Sequence, residues 1–197
     1  MAVKIEKTFQ VQEPIEKVWA LLSDPKKVVV CVPGASITEQ VDDKTYKGAI
    51  SVKVGPSVSD FKGEVQIVRL DNAAHEIELL GKGQDTRGKG SAQMKMTGKL
   101  RTLENGATEV VSVSEMNVVG ILAQMGGRMI QEVSNIMFEK FSNNFRQQLQ
   151  GGPVDAGAAK PISGLGLAFS AIKATISGGE SKDDPSKEPR KSEPGKS

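Results

Sequence analysis

The chain has 197 residues, of which 38% are hydrophobic and 25% charged, with a formal net charge of +2. That length holds one ordinary domain and too little for a second full core. The small charge, with bases and acids interspersed, argues against nucleic acid. A lone cysteine, Cys31, excludes an internal disulfide, and no apolar run approaches the about 20 residues needed to span a bilayer.

Residues 3–12 alternate, with Val3, Ile5, Lys7, Phe9 and Val11 on one side, which predicts a half-buried strand. Pro14 suits a first helical turn, and Ile15, Val18, Trp19 and Leu22 follow at helical spacing until Ser23-Asp24-Pro25 breaks the helix. A second short helix is expected over 26–30, ending before Pro33-Gly34.

From 35 to 119 the period is two. Tyr46, Gly48, Ile50, Val52 and Val54 share a face, and Gly55-Pro56 marks a turn. Phe61, Gly63, Val65 and Ile67 share the next face; Asp71-Asn72 signals a hairpin before Ile77 and Leu79. Gly88, Gly90, Ala92, Met94, Met96, Gly98 and Leu100 then share a face, and Asn105-Gly106 turns the chain into a last strand over 108–119. Strands with one polar face predict an antiparallel sheet wet on one side and covered on the other.

The predicted cover is an amphipathic helix over 121–149, carrying Leu122, Met125, Met129, Val133, Ile136, Met137, Phe141, Phe145 and Leu149. At the α-helical rise it would be about 40 Å long, enough to cross the sheet. Gly151-Gly152-Pro153 ends this domain (1–150). The remainder, 151–197, is rich in Gly, Ser, Lys, Glu and Pro and is expected to be mostly disordered. One amphipathic stretch interrupts it, with Ile162, Leu165, Phe169, Ile172 and Ile176 at three- or four-residue steps. That stripe fits either a membrane interface or a protein partner. The expected class is α+β: a curved seven-stranded antiparallel sheet around a long C-terminal helix.

That element order is similar to the START-like (SRPBCC) superfamily, whose helix-grip fold holds a hydrophobic cavity between sheet and helix. More specific are Cys31-Val32-Pro33-Gly34-Ala35, Val52-Lys53-Val54-Gly55-Pro56, and 118–124 (Val-Val-Gly-Ile-Leu-Ala-Gln) with Gly126-Gly127-Arg128. These resemble the CoxG family, the G component of carbon monoxide dehydrogenase, over about residues 3–150. The resemblance implies an accessory protein that attaches a molybdenum hydroxylase, such as carbon monoxide dehydrogenase, to the membrane. It also implies a hydrophobic cavity ligand, plausibly a quinone or other lipid, and a cytoplasmic location on the inner face of the membrane. Two alternatives stand beside it: a cyclase-like enzyme acting on a cavity-bound substrate, and a chaperone-like assembly factor.

The residues themselves give catalysis little material. Cys31 reads as a small buried hydrophobe and His75 as a surface residue after a hairpin turn. No metal set and no cofactor are expected: Asp42-Asp43 and Asp183-Asp184 read as solvated pairs, and neither Gly81-Lys82-Gly83 nor Gly88-Lys89-Gly90 opens a helix after a strand. The in-strand glycines Gly48, Gly63, Gly88, Gly90 and Gly98 either permit curvature or leave room for a ligand. Met94, Met96, Met116, Met125, Met129 and Met137 either fill the core or form an adaptable apolar wall. The expected cavity lining is Tyr46, Ile50, Val52, Phe61, Val65, Met94, Met96, Met125 and Met129. Gly126-Gly127 weakens the helix start and could gate the cavity. Arg128 is either solvated or paired with a polar ligand group.

Overall fold

In a computed structural model, residues 1–54, 57–124 and 126–154 are described. The chain separates into units Met1–Ala159 and Lys160–Ser197, and every described residue lies in the first. The expected amphipathic stripe at 162–176 and Met125 therefore lie outside the described residues.

The first strand, β1 (Ala2–Val11), leads into helices α1 (Ile15–Leu22) and α2 (Pro25–Val28) and a 3-10 turn, Val29–Cys31. The α1 helix ends where Trp19 O accepts both the Ser23 amide at 2.9 Å and the Ser23 hydroxyl at 2.7 Å. Asp24 caps α2 by accepting the Lys26 amide at 3.0 Å, with Pro25 at the first helical position. Six strands follow: β2 (Ala35–Gln40), β3 (Thr45–Val54), β4 (Ser57–Asp71), β5 (Glu76–Asp85), β6 (Gly90–Thr102) and β7 (Thr108–Gly120).

All seven strands form one antiparallel sheet in the order β1-β7-β6-β5-β4-β3-β2. Short polar side chains fix the hairpins. Asp71 accepts the Ala74 amide at 3.0 Å, Asp85 the Arg87 amide at 2.8 Å, and Asn105 the Ala107 amide at 3.1 Å. Gly88 belongs to the turn before β6, at φ +72°, and not to a strand face as its parity with Gly90 suggests. A left-handed turn position selects glycine there without any ligand.

The expected single C-terminal helix is divided into α3 (Ile121–Gln124) and α4 (Gly126–Leu149). Gly126 has φ +81°, which a continuous α-helix cannot contain. The α4 helix packs along β1 and the Val29–Cys31 turn instead of across the middle of the sheet. Gln131 Nε2 donates to Lys4 O at 3.1 Å and Arg146 Nε to Gln10 O at 3.2 Å, so the helix satisfies carbonyls on the free edge of β1. The Lys7 ammonium, on the helix-facing side of β1, donates to Asn135 Oδ1.

The core lies at one end of the sheet. Phe9 meets Phe138, Phe141 and Phe145 edge-on, with ring centroids 5.7, 6.1 and 5.6 Å away. Val18, Trp19, Cys31, Ile77, Leu100 and Val110 complete the cluster. The opposite, convex face is laced with ion pairs, including Lys47–Glu39 at 3.0 Å and Lys82–Glu64 at 3.1 Å.

Candidate functional site: an apolar bowl on the inner face

The register shows which side chains share the helix side of the sheet, because directly paired residues point the same way. One row across the strands reads Val3, Met116, Met94, Gly81, Val65, Tyr46. The row beside it, nearer the core, reads Ile5, Ser114, Met96, Leu79, Ile67. On the other side runs Val118, Ala92, Gly83, Gly63, Gly48, Ile37.

Three glycines directly opposite one another on adjacent strands leave the middle of this face without side chains. Met94, Met96, Met116 and Leu79 surround them half-buried, and Val65 is 39% exposed. Ile5, Ile67, Tyr46, Val118 and Phe61 are buried around the periphery. The result is a shallow apolar bowl with a glycine floor, beside a densely packed end.

The two readings of the glycines separate here by position. A Cβ on Gly63 would stand 2.1 Å from Lys82 O, on Gly48 2.5 Å from Ser36 O, and on Gly90 2.4 Å from Val119 O. At those positions neighbouring backbone requires glycine, so curvature is the reason. Gly81 and Gly83 differ: a Cβ there would meet nothing nearer than 3.4 and 3.8 Å, respectively. Those two positions admit side chains sterically, and their effect is to keep the bowl empty.

Of the expected lining residues, Tyr46, Ile50, Val52, Phe61, Val65, Met94 and Met96 all stand on this face by register. Tyr46 and Phe61 are fully buried, Ile50 and Val52 half-buried. Met129 is exposed on the first turn of α4, and Met125 is outside the described residues. Met116, Leu79, Ala92, Gly81 and Gly83 belong to the bowl but were not among the expected lining. Continuing the alternation of Ile77 and Leu79 for four residues would have found both glycines.

Cys31 is fully buried, and loss of hydration pushes its thiol up to about 11, so it stays protonated at neutral pH. Its carbonyl accepts the Asn144 side-chain amide at 3.2 Å. His75 departs from the expected surface position. Its side chain is mostly covered, sits edge-on to Trp19 at 5.4 Å and approaches Glu16 Oε1 at 3.4 Å. Trp19 Nε1 also donates to Asn72 Oδ1 at 2.9 Å, so the β4–β5 hairpin is pinned onto α1 and turns His75 inward. Arg128 is exposed.

Among the described residues, no group of three or more His, Cys, Asp or Glu is placed to hold a metal ion, and no helix is long and apolar enough to cross a membrane. A surface depression of about 300 Å³ lies on the convex side, walled by Arg69, Glu76, Glu78, Thr97, Lys99, Val111 and Val113. Its charges neutralise one another, as in Lys99–Glu76 at 2.6 Å and Arg69–Glu76 at 3.3 Å. The methionine-lined bowl is on the other face.

A seven-stranded antiparallel sheet with two short helices after its first strand and a long helix at its end defines a START-like, helix-grip protein. Solved structures agree at the level of fold. A conserved protein from Geobacillus kaustophilus superposes with a TM-score of 0.69 at 17% identity, covering 76% of this chain and 96% of that one. A START superfamily protein from Mycobacterium smegmatis gives 0.52 at 13% identity, covering 75% and 97%. The Zhui aromatase/cyclase from Streptomyces sp. R1128 gives 0.51 at 16%, covering 77% and 93%. No curated protein matches the sequence. The sequence model of CoxG, the G component of carbon monoxide dehydrogenase, matches residues 8–150, and the chain belongs to that CoxG family.

Proposed function

We propose that this protein is a non-catalytic carrier that holds a hydrophobic small molecule, a quinone or other lipid, in the bowl on the inner face of its sheet. The observation that carries this reading is the contrast in covering. Met94, Met96, Met116 and Val65 are left part-exposed around a floor of glycines that do not all need to be glycine. Flexible thioethers around an unfilled apolar space suit a ligand whose shape varies along its length. Burial of such a ligand is worth about 25 cal/mol per Å² of apolar surface removed from water.

Family membership supports the second part of the proposal, that the carrier serves a molybdenum hydroxylase at the inner face of the cytoplasmic membrane. The stripe of Ile162, Leu165, Phe169, Ile172 and Ile176 is its proposed membrane contact. The tail has seven bases against six acids, so attachment by that stripe should depend little on salt. Deleting 153–197 is expected to abolish flotation with neutral liposomes, and Phe169→Glu to weaken it. Equal flotation of all three proteins would contradict the anchor.

An enzymatic reading has weaker support. The one thiol is held protonated by burial, and the one histidine is engaged with Trp19 and Glu16 at the packed end. The ligand itself is tested by native mass spectrometry and lipid extraction of protein purified without detergent. A stoichiometric apolar molecule, absent from Gly83→Val protein, is expected. Equal retention by the Gly83→Val protein would place the ligand elsewhere.

A further inference from the structure

Bases on most of the convex face are paired, as in Lys47–Glu39, Lys82–Glu64, Lys95–Glu78 and Lys99–Glu76, at 2.6–3.1 Å. At the core end too, Lys17 meets Glu13 at 2.8 Å and Arg69 meets Asp71 at 3.1 Å. The other end of the sheet departs from this pattern. It is formed by the β3–β4 and β5–β6 connections and the passage from β7 into α4. Lys53, Lys62, Lys89 and Arg128 are exposed there and pair with no carboxylate among the described residues.

The carboxylates at this end are already engaged. Asp60 accepts the Ser51 hydroxyl at 2.6 Å and lies 4.0 Å from Arg87. Asp85 is buried and accepts the Arg87 and Lys89 amides at 2.8 and 3.3 Å. Three apolar side chains stand out among these bases: Val58, Val119 and Met129, 47, 49 and 37% exposed. The register brings them together. Lys53 pairs with Val58, and a single row runs Lys62, Gln84, Ser91, Val119 across the sheet.

Unpaired cations interleaved with protruding apolar side chains, on the tips of connections, match the chemistry of an anionic lipid surface: phosphates for the bases and the acyl boundary for the valines. We infer that this end of the folded domain is a membrane-docking rim for an anionic bilayer, separate from the tail. Docking itself stands on charge and exposure alone. Its use in passing an apolar molecule between bilayer and bowl rests on the carrier function proposed above.

The test measures binding of the full chain to vesicles of phosphatidylcholine alone and of phosphatidylcholine with phosphatidylglycerol, at low and high salt. Each base near an anionic surface contributes roughly fivefold. The natural protein should therefore prefer anionic vesicles by at least about tenfold at low salt, and screening should erase the preference. The variant K53E/K89E/R128E should lose that preference with its melting temperature unchanged, while K26E/K44E, exposed at the other end, should keep it. Binding to neutral vesicles reports the tail stripe alone, so failure of the tail anchor leaves the anionic preference intact. The rim is overturned if the natural protein shows no anionic preference, or if K53E/K89E/R128E retains it.

Discussion

The two regions of the inner face are built from the same strands and differ in what covers them. At the core end Phe9, Val110 and Leu100 face the aromatic half of α4, and Phe145 has no exposed surface at all. A few residues along the same strands, Met94, Met96 and Met116 face a floor of Gly48, Gly63 and Gly83 and remain half-exposed. One helix lying along β1 cannot cover both. The difference teaches that the sheet's stability and its binding surface are separable: aromatic packing holds the fold, and missing side chains shape the bowl.

Substitutions on the two sides should therefore differ in kind. The largest loss is expected from Phe145→Ala, which empties a fully buried aromatic site and should cost about 3–5 kcal/mol by denaturant unfolding. Gly63→Ala comes next, at about 3 kcal/mol, because its new methyl would meet backbone instead of space. Met96→Ala should cost only about 1 kcal/mol, since its side chain is already part-exposed in the folded state. Gly83→Val should leave stability nearly unchanged, because a β-branched residue suits a strand and meets only ordinary contacts. It should nevertheless weaken ligand binding by about tenfold, the size of an overpacking penalty. Marked unfolding by Gly83→Val would break the separation between the two regions.

Cys31 provides a smaller check on the packed side. Burial raises its folded value above the ordinary one, so its contribution to stability is present below about 9.0 and lost as pH climbs through about 11. A thiol reagent at neutral pH should modify the protein only at the rate of unfolding. Fast modification of native protein would show the core end to be open.

Much of the fold was legible in the sequence because period two is unbroken through the strands. Met94 and Met96, or Val65 and Phe61, could be assigned to one face before any pairing was known. Two features were hidden for physical reasons. The direction of α4 depends on side-chain bonds to the edge of β1, from Gln131 and Arg146, and an amphipathic pattern does not say which part of a sheet it covers. His75 is drawn inward by Trp19, 56 positions earlier in the chain, which no local pattern around a hairpin turn reveals. Which glycines are required and which make space became visible only once register placed Gly48, Gly63 and Gly83 opposite one another.

The bowl itself is tested most directly by methyl NMR of protein labelled at its methionines, titrated with a short-chain quinone. The account predicts saturable shifts at the ε-methyl groups of Met94, Met96 and Met116, absent in Gly83→Val protein. Saturable binding that leaves those three methyl groups unmoved would contradict it.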